Sequence, residues 1–280
     1  MSGDDAPPQR YETIIIVGGG CYGGYYVRQL QRAARAGAIT ATALHVVDRD
    51  PDCAVALAIR EDASESDTAH NAPSIIASVP AVELSSPIPT TVVIADWREY
   101  FGDYLTRAAN DRDRFQLDAI VPSPLMPHLM AEWVVSRAKE RWSDRVVETA
   151  PLNQPMGVPW ERPGADGTHY ASFAEWTCPI NCIEPRICPA TKGVRSWSLP
   201  PTVVAYADGV GAASAVMFCR HRAFGVGMFD TAEVIAADDA VRSVGEQGGE
   251  VLLGTTSHCH GAITRLVVAA PTTPSDSLNH

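Results

Sequence analysis

No stretch of this chain approaches the roughly 20 consecutive apolar residues of a membrane-spanning helix, so no membrane role is expected. Met1 to Arg10 has neither an amphipathic pattern nor an apolar core of signal-peptide length, and the location expected is cytoplasmic. Positive charge is short as well. With 22 Lys and Arg against 33 Asp and Glu, the formal net charge is -11. No basic patch offsets it, so nucleic acid, whose phosphates such a surface repels, is not an expected partner. Several catalytic signatures are missing too: there is no G-x-S-x-G elbow, P-loop lysine, H-E-x-x-H helix or C-x-x-C pair. Hydrolase, NTPase, zincin and thioredoxin chemistries therefore lack their defining residues. What remains is a globular composition, 46% hydrophobic and 20% charged over 280 residues, long enough for one large or two ordinary domains without disulfides. Seven cysteines are an odd number, better read in a reducing compartment as thiols or metal ligands than as a disulfide framework.

The most informative stretch is Y-E-T-I-I-I-V-G-G-G-C-Y-G-G, Tyr11 to Gly24. Thr13 to Val17 is an uninterrupted β-branched, apolar run, as expected of a strand covered on both faces. Gly18, Gly20 and Gly23 follow in G-x-G-x-x-G spacing, and Tyr22 to Ala36 continues as a helix with Tyr26, Leu30 and Ala33 on one stripe. The first glycine permits a tight turn, the second admits a pyrophosphate to the backbone, and the third lets helix and strand pack closely. Free amides at the helix N-terminus would face the phosphates. After a loop from Gly37 to Thr42, a second strand, Ala43 to Val47, ends at Asp48, the carboxylate placed to accept ribose hydroxyls, though further from Gly23 than the usual spacing of about 20 residues. Arg49 beside it could hold a 2′-phosphate, so NAD and NADP both stay open, with NAD favoured by Asp48.

Further along, Asp52 to Ile59 reads as a short helix, Arg60 to Pro73 as an acidic loop with a solvated His70, and Ser74 to Val79 as a candidate strand. Thr91 to Ala95 reads as a strand ending at Asp96, with a helix from Trp97 to Asn110. Leu117 to Val121 is another buried strand, followed by Pro122-Ser123-Pro124 and a helix to about Trp142, and Arg145 to Thr149 is one more strand. Alternating strands and helices imply right-handed parallel crossovers and a doubly wound sheet. The order I-I-I-V-G-G-G-C-Y-G, V-V-D-R-D-P, V-I-A-D-W, L-D-A-I-V-P-S-P resembles the TrkA-N type of NAD-binding Rossmann domain over Glu12 to Arg141. That resemblance implies NAD(H) binding, with Gly18, Gly20 and Gly23 at the pyrophosphate, Asp48 at the ribose and Asp96 near the adenine side. The acidic insertion before Thr91 and the want of a recognisable ligand-sensing domain afterwards depart from it.

Past Ala150 the composition shifts. Nine of the 21 prolines fall between Pro151 and Pro201, which reads as an irregular segment opening a second domain. Thr202 to Tyr206, a turn at Asp208-Gly209, and Ala212 to Cys219 read as a hairpin, with Ala223 to Phe229 adding a strand. Thr231 to Val244 reads as a helix, and Glu250 to Thr255 and Ile263 to Ala269 as final strands. The expected fold class is α/β: a doubly wound parallel Rossmann sheet over 11–150, then a smaller α+β domain with a cysteine-rich loop over 151–270, between tails 1–10 and 271–280.

Within the proline-rich segment, T-C-P-I-N-C-I-E-P-R-I-C-P places Cys178, Cys182 and Cys188 within eleven residues. A loop of this kind can converge its sulfurs on a soft metal, and Cys259 in S-H-C-H-G would be the fourth ligand, with His258 in reserve. The C-x3-C-x5-C spacing matches neither a zinc ribbon nor a ferredoxin run, so an iron-sulfur cluster, zinc and free thiols all stay open. His128 lies where nicotinamide chemistry occurs in such folds and is the candidate proton donor, a helix-capping role being comparable. Cys21, in the glycine turn, reads as a small residue beside the cofactor, Cys53 and Cys219 as core packing, and His221 as a surface or core residue. Together these point to an NAD(P)-dependent oxidoreductase moving hydride or electrons between nicotinamide and a substrate or cluster. A non-catalytic NAD or redox sensor or assembly module with structural zinc is the alternative. A small-molecule substrate or a redox partner protein would be the counterpart, and a homo-oligomer stays open.

Overall fold

The structure is a computed structural model that describes residues 9–69, 87–179 and 182–272, with the side chains of 62–69 outside that description. It is a mixed α/β fold with two mixed sheets. In the first sheet, β1 (Gln9–Val17), β2 (Ile39–Asp48), β3 (Thr90–Ile94) and β4 (Ala119–Val121) run parallel in the order β3-β2-β1-β4. Two later strands, β9 (Arg220–Ala223) and β10 (Val226–Asp230), complete it in antiparallel sense, β10 beside β4. The second sheet has the order β6-β7-β12-β11-β8, from β6 (Trp160–Pro163), β7 (His169–Ser172), β8 (Ala213–Phe218), β11 (Gly249–Thr256) and β12 (His260–Val268). Only β8 and β11 are parallel there, and β5 (Val147–Ala150) also pairs with β12.

Side chains alternate across a strand, and each sheet uses both faces. From β1, Ile14 and Ile16 face α1 (Cys21–Arg35) and α2 (Ala54–Ala69), against Leu30, Ala33 and Val55. Ile15 and Val17 face the other way, into a layer made by α3 (Trp97–Asn110), α4 (Leu129–Arg141) and α6 (Thr231–Gly245). That layer carries Phe101, Trp133, Val134 and Val241, and its far side meets Val251, Leu253 and Leu266 of the second sheet. Leu252 and Ile263, with the opposite parity, face α5 (Leu199–Val210) and its Leu199, Val203 and Ala207. The stack is thus helices, sheet, helices, sheet, helix. Ile14, Ile15 and Ile16 are fully buried, each contributing about 1.5–3 kcal/mol by burial.

Several elements differ from what the sequence suggests. The hairpin read from Thr202 to Cys219 is instead a helix, α5, followed by β8. Pro200 and Pro201 stand in its first turn, where the missing N–H has no helical partner anyway. Leu199, Val203 and Ala207 recur at helical spacing, and Gly211 ends the helix at φ 73°. The proline-rich segment is not wholly irregular: Glu161 on β6 accepts the N–H groups of Met156, Gly157 and Val158 at 2.8–3.1 Å, and its carboxylate meets Nε2 of His169, diagonally across the β6–β7 pair, at 2.7 Å. α2 continues to Ala69 where a loop was expected from Arg60, and β2 begins at Ile39 rather than Ala43. His70 and the candidate strand at Ser74 to Val79 lie outside the described residues. The first sheet is not all-parallel, because β10 and β9 return to it from beyond residue 151, while β5 leaves for the second sheet.

Candidate functional site

At the carboxyl end of β1 the chain turns on Gly18, whose φ of 91° favours glycine. Each glycine of the turn has a different reason to lack a side chain. A Cβ on Gly18 would stand 3.1 Å from the Trp97 ring, and one on Gly19 would stand 2.4 Å from Cys53 Sγ. On Gly23 it would lie 2.0 Å from the Gly18 carbonyl oxygen, so the third glycine of the motif is required for helix and turn to pack. On Gly20 it would meet nothing within 4 Å. Gly20 has an ordinary φ of -71° and is the N-cap of α1, offering no side-chain cap to the first amides.

Asp48 ends β2 beside this turn. Its Oδ2 accepts from the Gly19 N–H at 2.6 Å and its Oδ1 from the Asp50 N–H at 2.9 Å. Trp97 Nε1 donates to the Val47 carbonyl at 2.9 Å, which locks α3 against β2. Asp96 caps α3 by accepting from the Arg98 N–H at 2.8 Å. Asp48, Arg49 and Asp96 together line a small cavity of about 170 Å³ that also includes Trp97 and Met126. The residues read as cofactor-binding, Gly18, Gly20, Gly23, Asp48, Arg49 and Asp96, therefore gather at the carboxyl ends of β1, β2 and β3.

The cysteine loop lies at the other end of the chain's path. Ile187 and Val194 bridge to close a small turn, in which the Cys188 N–H donates to the Gly193 carbonyl. Burial pushes the Cys178 thiol up, and the neighbouring Cys182 and Cys188 add to the shift. Burial likewise pushes Cys259 up to about 12. Cys188 moves the other way, pulled down by the amide and hydroxyl of Thr191. Cys182 Sγ accepts from the Glu184 N–H at 3.3 Å, and Cys259 Sγ from Trp197 Nε1 at 3.4 Å. Cys182 and Cys188 thus bear electrostatically on the Cys178 thiol, and Cys178 weakly on Cys259. Among the described residues, no three His, Cys, Asp or Glu side chains are gathered closely enough to hold a metal ion. His258 Nδ1 is within 2.8 Å of Ser198 Oγ, and its ring packs edge-on against Phe218.

What ties this loop to the second sheet is Glu184, a residue the sequence reading passed over. It is buried, with φ 49°, and its carboxylate accepts from Ser257 Oγ at 2.7 Å and from the N–H groups of His258 and Cys259 at 2.9 and 3.2 Å. Burial alone would raise its pKa, but His221, the Ser257 hydroxyl and the His258 amide together hold it below the ordinary carboxylate value. The signal available in the sequence was an acidic residue inside the cysteine motif, C-I-E-P. His221, also set aside, hydrogen-bonds through Nδ1 to the Cys182 carbonyl.

His128 is almost wholly buried. Its Nδ1 lies 3.0 Å from Thr255 Oγ1 and its Nε2 2.9 Å from Thr264 Oγ1, so the ring bridges the start of α4 to β11 and β12. It occupies the N-cap position of α4 without a side-chain cap bond. Burial lowers its pKa from 6.5 to about 4. Because the folded value is the depressed one, the stability this neutral histidine contributes is fully present above about 6.5 and is lost as pH falls towards 4. The loss can reach roughly 3 kcal/mol. Urea unfolding of wild type and His128→Gln should show the wild type losing more stability between neutral pH and about 4; parallel losses would assign the acid sensitivity to other groups.

These features define a mixed α/β protein with a glycine turn at the carboxyl ends of its parallel strands and a cysteine-bearing loop on its second sheet. A family model, AF_1314_C, described as "Uncharacterized protein, C-terminal domain", matches residues 130–269, half of the chain, and the chain belongs to this family. The match corrects the TrkA-N resemblance drawn over Glu12 to Arg141, since no TrkA-N family is found there. Short glycine and aspartate motifs of that kind recur in many nucleotide-binding sheets and do not carry a family by themselves. No curated protein and no solved structure matches the chain. Among the described residues no helix is long and apolar enough to cross a membrane.

Proposed function

We propose that the chain binds a nicotinamide dinucleotide at the glycine turn and acts as an oxidoreductase on a small molecule. The parallel order β3-β2-β1-β4 supports reading the first sheet as a doubly wound nucleotide-binding sheet, in which ligands sit outside the carboxyl ends of the strands. The observation that carries the proposal is Gly20. The fold gives Gly18, Gly19 and Gly23 packing or backbone reasons to be glycine, whereas the space beside Gly20 is open at a helix N-terminus. A pyrophosphate approaching the amides needs that space. Asp48 at the end of β2 supports NAD over NADP, with Arg49 and Asp96 at the edge of the same cavity. The bound dinucleotide would supply hydride transfer. The chain's own part is to position it through the turn's backbone amides and Asp48.

Gly20→Ala separates the two explanations. The added methyl meets no protein atom, so thermal stability should stay near that of wild type, while NADH affinity measured by fluorescence titration should fall tenfold or more. Gly20→Asp should remove binding altogether. Unchanged NADH binding in Gly20→Asp would overturn the assignment.

A second reading rests on the cysteine loop: a soft metal held by Cys178, Cys182, Cys188 and Cys259. The donor type fits, four thiols of which two already accept N–H···S hydrogen bonds, but the sulfurs are not gathered on one point and the loop would have to draw them together around the ion. An iron-sulfur cluster there would store an electron, and zinc would cross-link the loop to β12, as in a redox-sensing or assembly module. Protein purified without oxygen should carry iron with acid-labile sulfide, or one zinc, and should lose it in Cys182→Ser. Metal-free wild type would leave the loop as free thiols.

A further inference from the structure

A cavity of about 390 Å³ opens where Pro122 and Ser123 follow β4, between Tyr26 of α1 and the ends of β11 and β12. Its size falls within the range of small-molecule sites, and it is walled mainly by apolar surface, including Tyr26, Trp160, Tyr170 and Ala262. Among the described residues no Arg, Lys, Asp or Glu lines it, while His221 and His260 do. Two glycines let its wall residues pack closely. A Cβ on Gly227 would lie 2.8 Å from Cys219 Sγ and 2.9 Å from the His221 ring, and one on Gly261 would lie 2.6 Å from Thr256 Cγ2. On this wall Thr256 is 1% exposed, and its Oγ1 has no hydrogen-bond partner among the described residues. Leaving a buried hydroxyl unpaired costs stability, and in a native protein such an atom calls for a reason.

We infer that this cavity is a binding site for a small, uncharged, largely apolar molecule carrying one hydrogen-bonding oxygen, which pairs with Thr256 Oγ1. Phosphate and carboxylate groups are disfavoured, because a wall with no arginine or lysine, in which burial lowers the pKa of His260, offers little to compensate the loss of their hydration. The position suits a substrate: in parallel sheets, ligands bind at the carboxyl edge where strand order reverses, here between β1 and β4. Its role as the substrate pocket of an oxidoreductase rests on the dinucleotide reading above, whereas its chemistry of recognition does not.

The test uses the full chain with 1-indanone as the uncharged probe and indane-1-carboxylate as its anionic counterpart, each followed by calorimetric titration. The ketone should bind, and the carboxylate should bind at least about tenfold more weakly. Thr256→Val keeps the side-chain shape and deletes the hydroxyl. It should weaken ketone binding about fivefold and raise Tm by about 2–4 °C, because an unpaired buried group has been removed. A hydroxyl reserved for a ligand predicts both signs at once. Equal binding of the two probes, no binding of the ketone, or a Thr256→Val protein with lowered Tm and unchanged ketone affinity would overturn the inference. NADH titrated into the same samples reports on the glycine turn separately. Ketone binding without NADH binding would remove the dinucleotide reading and leave the cavity as assigned, and the reverse would do the opposite.

Discussion

Gly23→Ala should remove a large share of the protein's stability. The new methyl carbon would sit 2.0 Å from the Gly18 carbonyl oxygen and 2.9 Å from its carbonyl carbon. Both are main-chain atoms, so no side chain can swing aside. Gly18 is itself held, its N–H bonded to the Val47 carbonyl and its Cα against the Trp97 ring. Relief requires α1 to lift from the end of β1, which would uncover Leu30 and Ala33 from Ile14 and Ile16. Overpacking in a core commonly costs about 1–3 kcal/mol, and a backbone clash lies at or beyond the upper end. Against a total stability of roughly 5–15 kcal/mol, the expected fall in Tm is about 10 °C or more. The comparison with Gly20→Ala gives the experiment its value. Two alanines three positions apart in one motif should act in different ways, one on folding and the other on ligand affinity. A stable Gly23→Ala protein would mean that the turn is looser than its hydrogen bonds imply.

Glu184→Ala should be the most damaging change on the second sheet. It strands the His258 amide and takes the carboxylate from the Ser257 hydroxyl and the Cys259 amide, which keep only their bonds to the His260 carbonyl and to Ser257 Oγ; an unsatisfied buried group costs about 1–3 kcal/mol. A loss of roughly 2–4 kcal/mol is expected, read as a shift in the urea midpoint. Glu184→Gln keeps one acceptor oxygen and should lose about half as much. The pH dependence has a fixed sign. The folded carboxyl is held below its ordinary value, so the stabilisation is complete above the unfolded carboxylate value and is lost as pH falls through the lower folded one. Wild type should therefore lose stability over that acid window and Glu184→Gln should lose less of it. Equal acid sensitivity in the two proteins would show that Glu184 does not ionise as the fold implies.

The parts of this molecule that could be read from the sequence are those whose cause is local. Ile14 to Ile16 announce a strand buried on both faces, the glycine spacing announces a turn, and Trp97–Asn110 is a helix with its cap, Asp96, immediately ahead of it. α6 is legible for the same reason. Other features have causes spread along the chain. The Thr-Val-Val of α5 favours a strand by composition, and only its contact with Leu252 and Ile263 makes the Leu199, Val203, Ala207 stripe decisive. β10 joins β4 through Ile120 and Phe229, which no local pattern connects. The candidate site divides in the same way. Gly18, Gly20, Gly23 and Asp48 are recognisable by spacing, whereas Glu184 matters because of three donors more than seventy positions away. The cavity draws its wall from Tyr26 to Ala262 and exists only in the folded chain.

The shared middle layer of helices also sets an order of assembly. Parallel β1, β2, β3 and β4 emerge early in synthesis, yet the free edge of β4 stays open until β10 has been made, and α3 and α4 have no second sheet to cover them before β11 and β12 arrive. Strands made later thus close the core that the earlier strands begin. Between the synthesis of β4 and that of β12 the growing chain carries an unfinished apolar surface, a situation in which a chaperone that shields α3 and α4 would find its work.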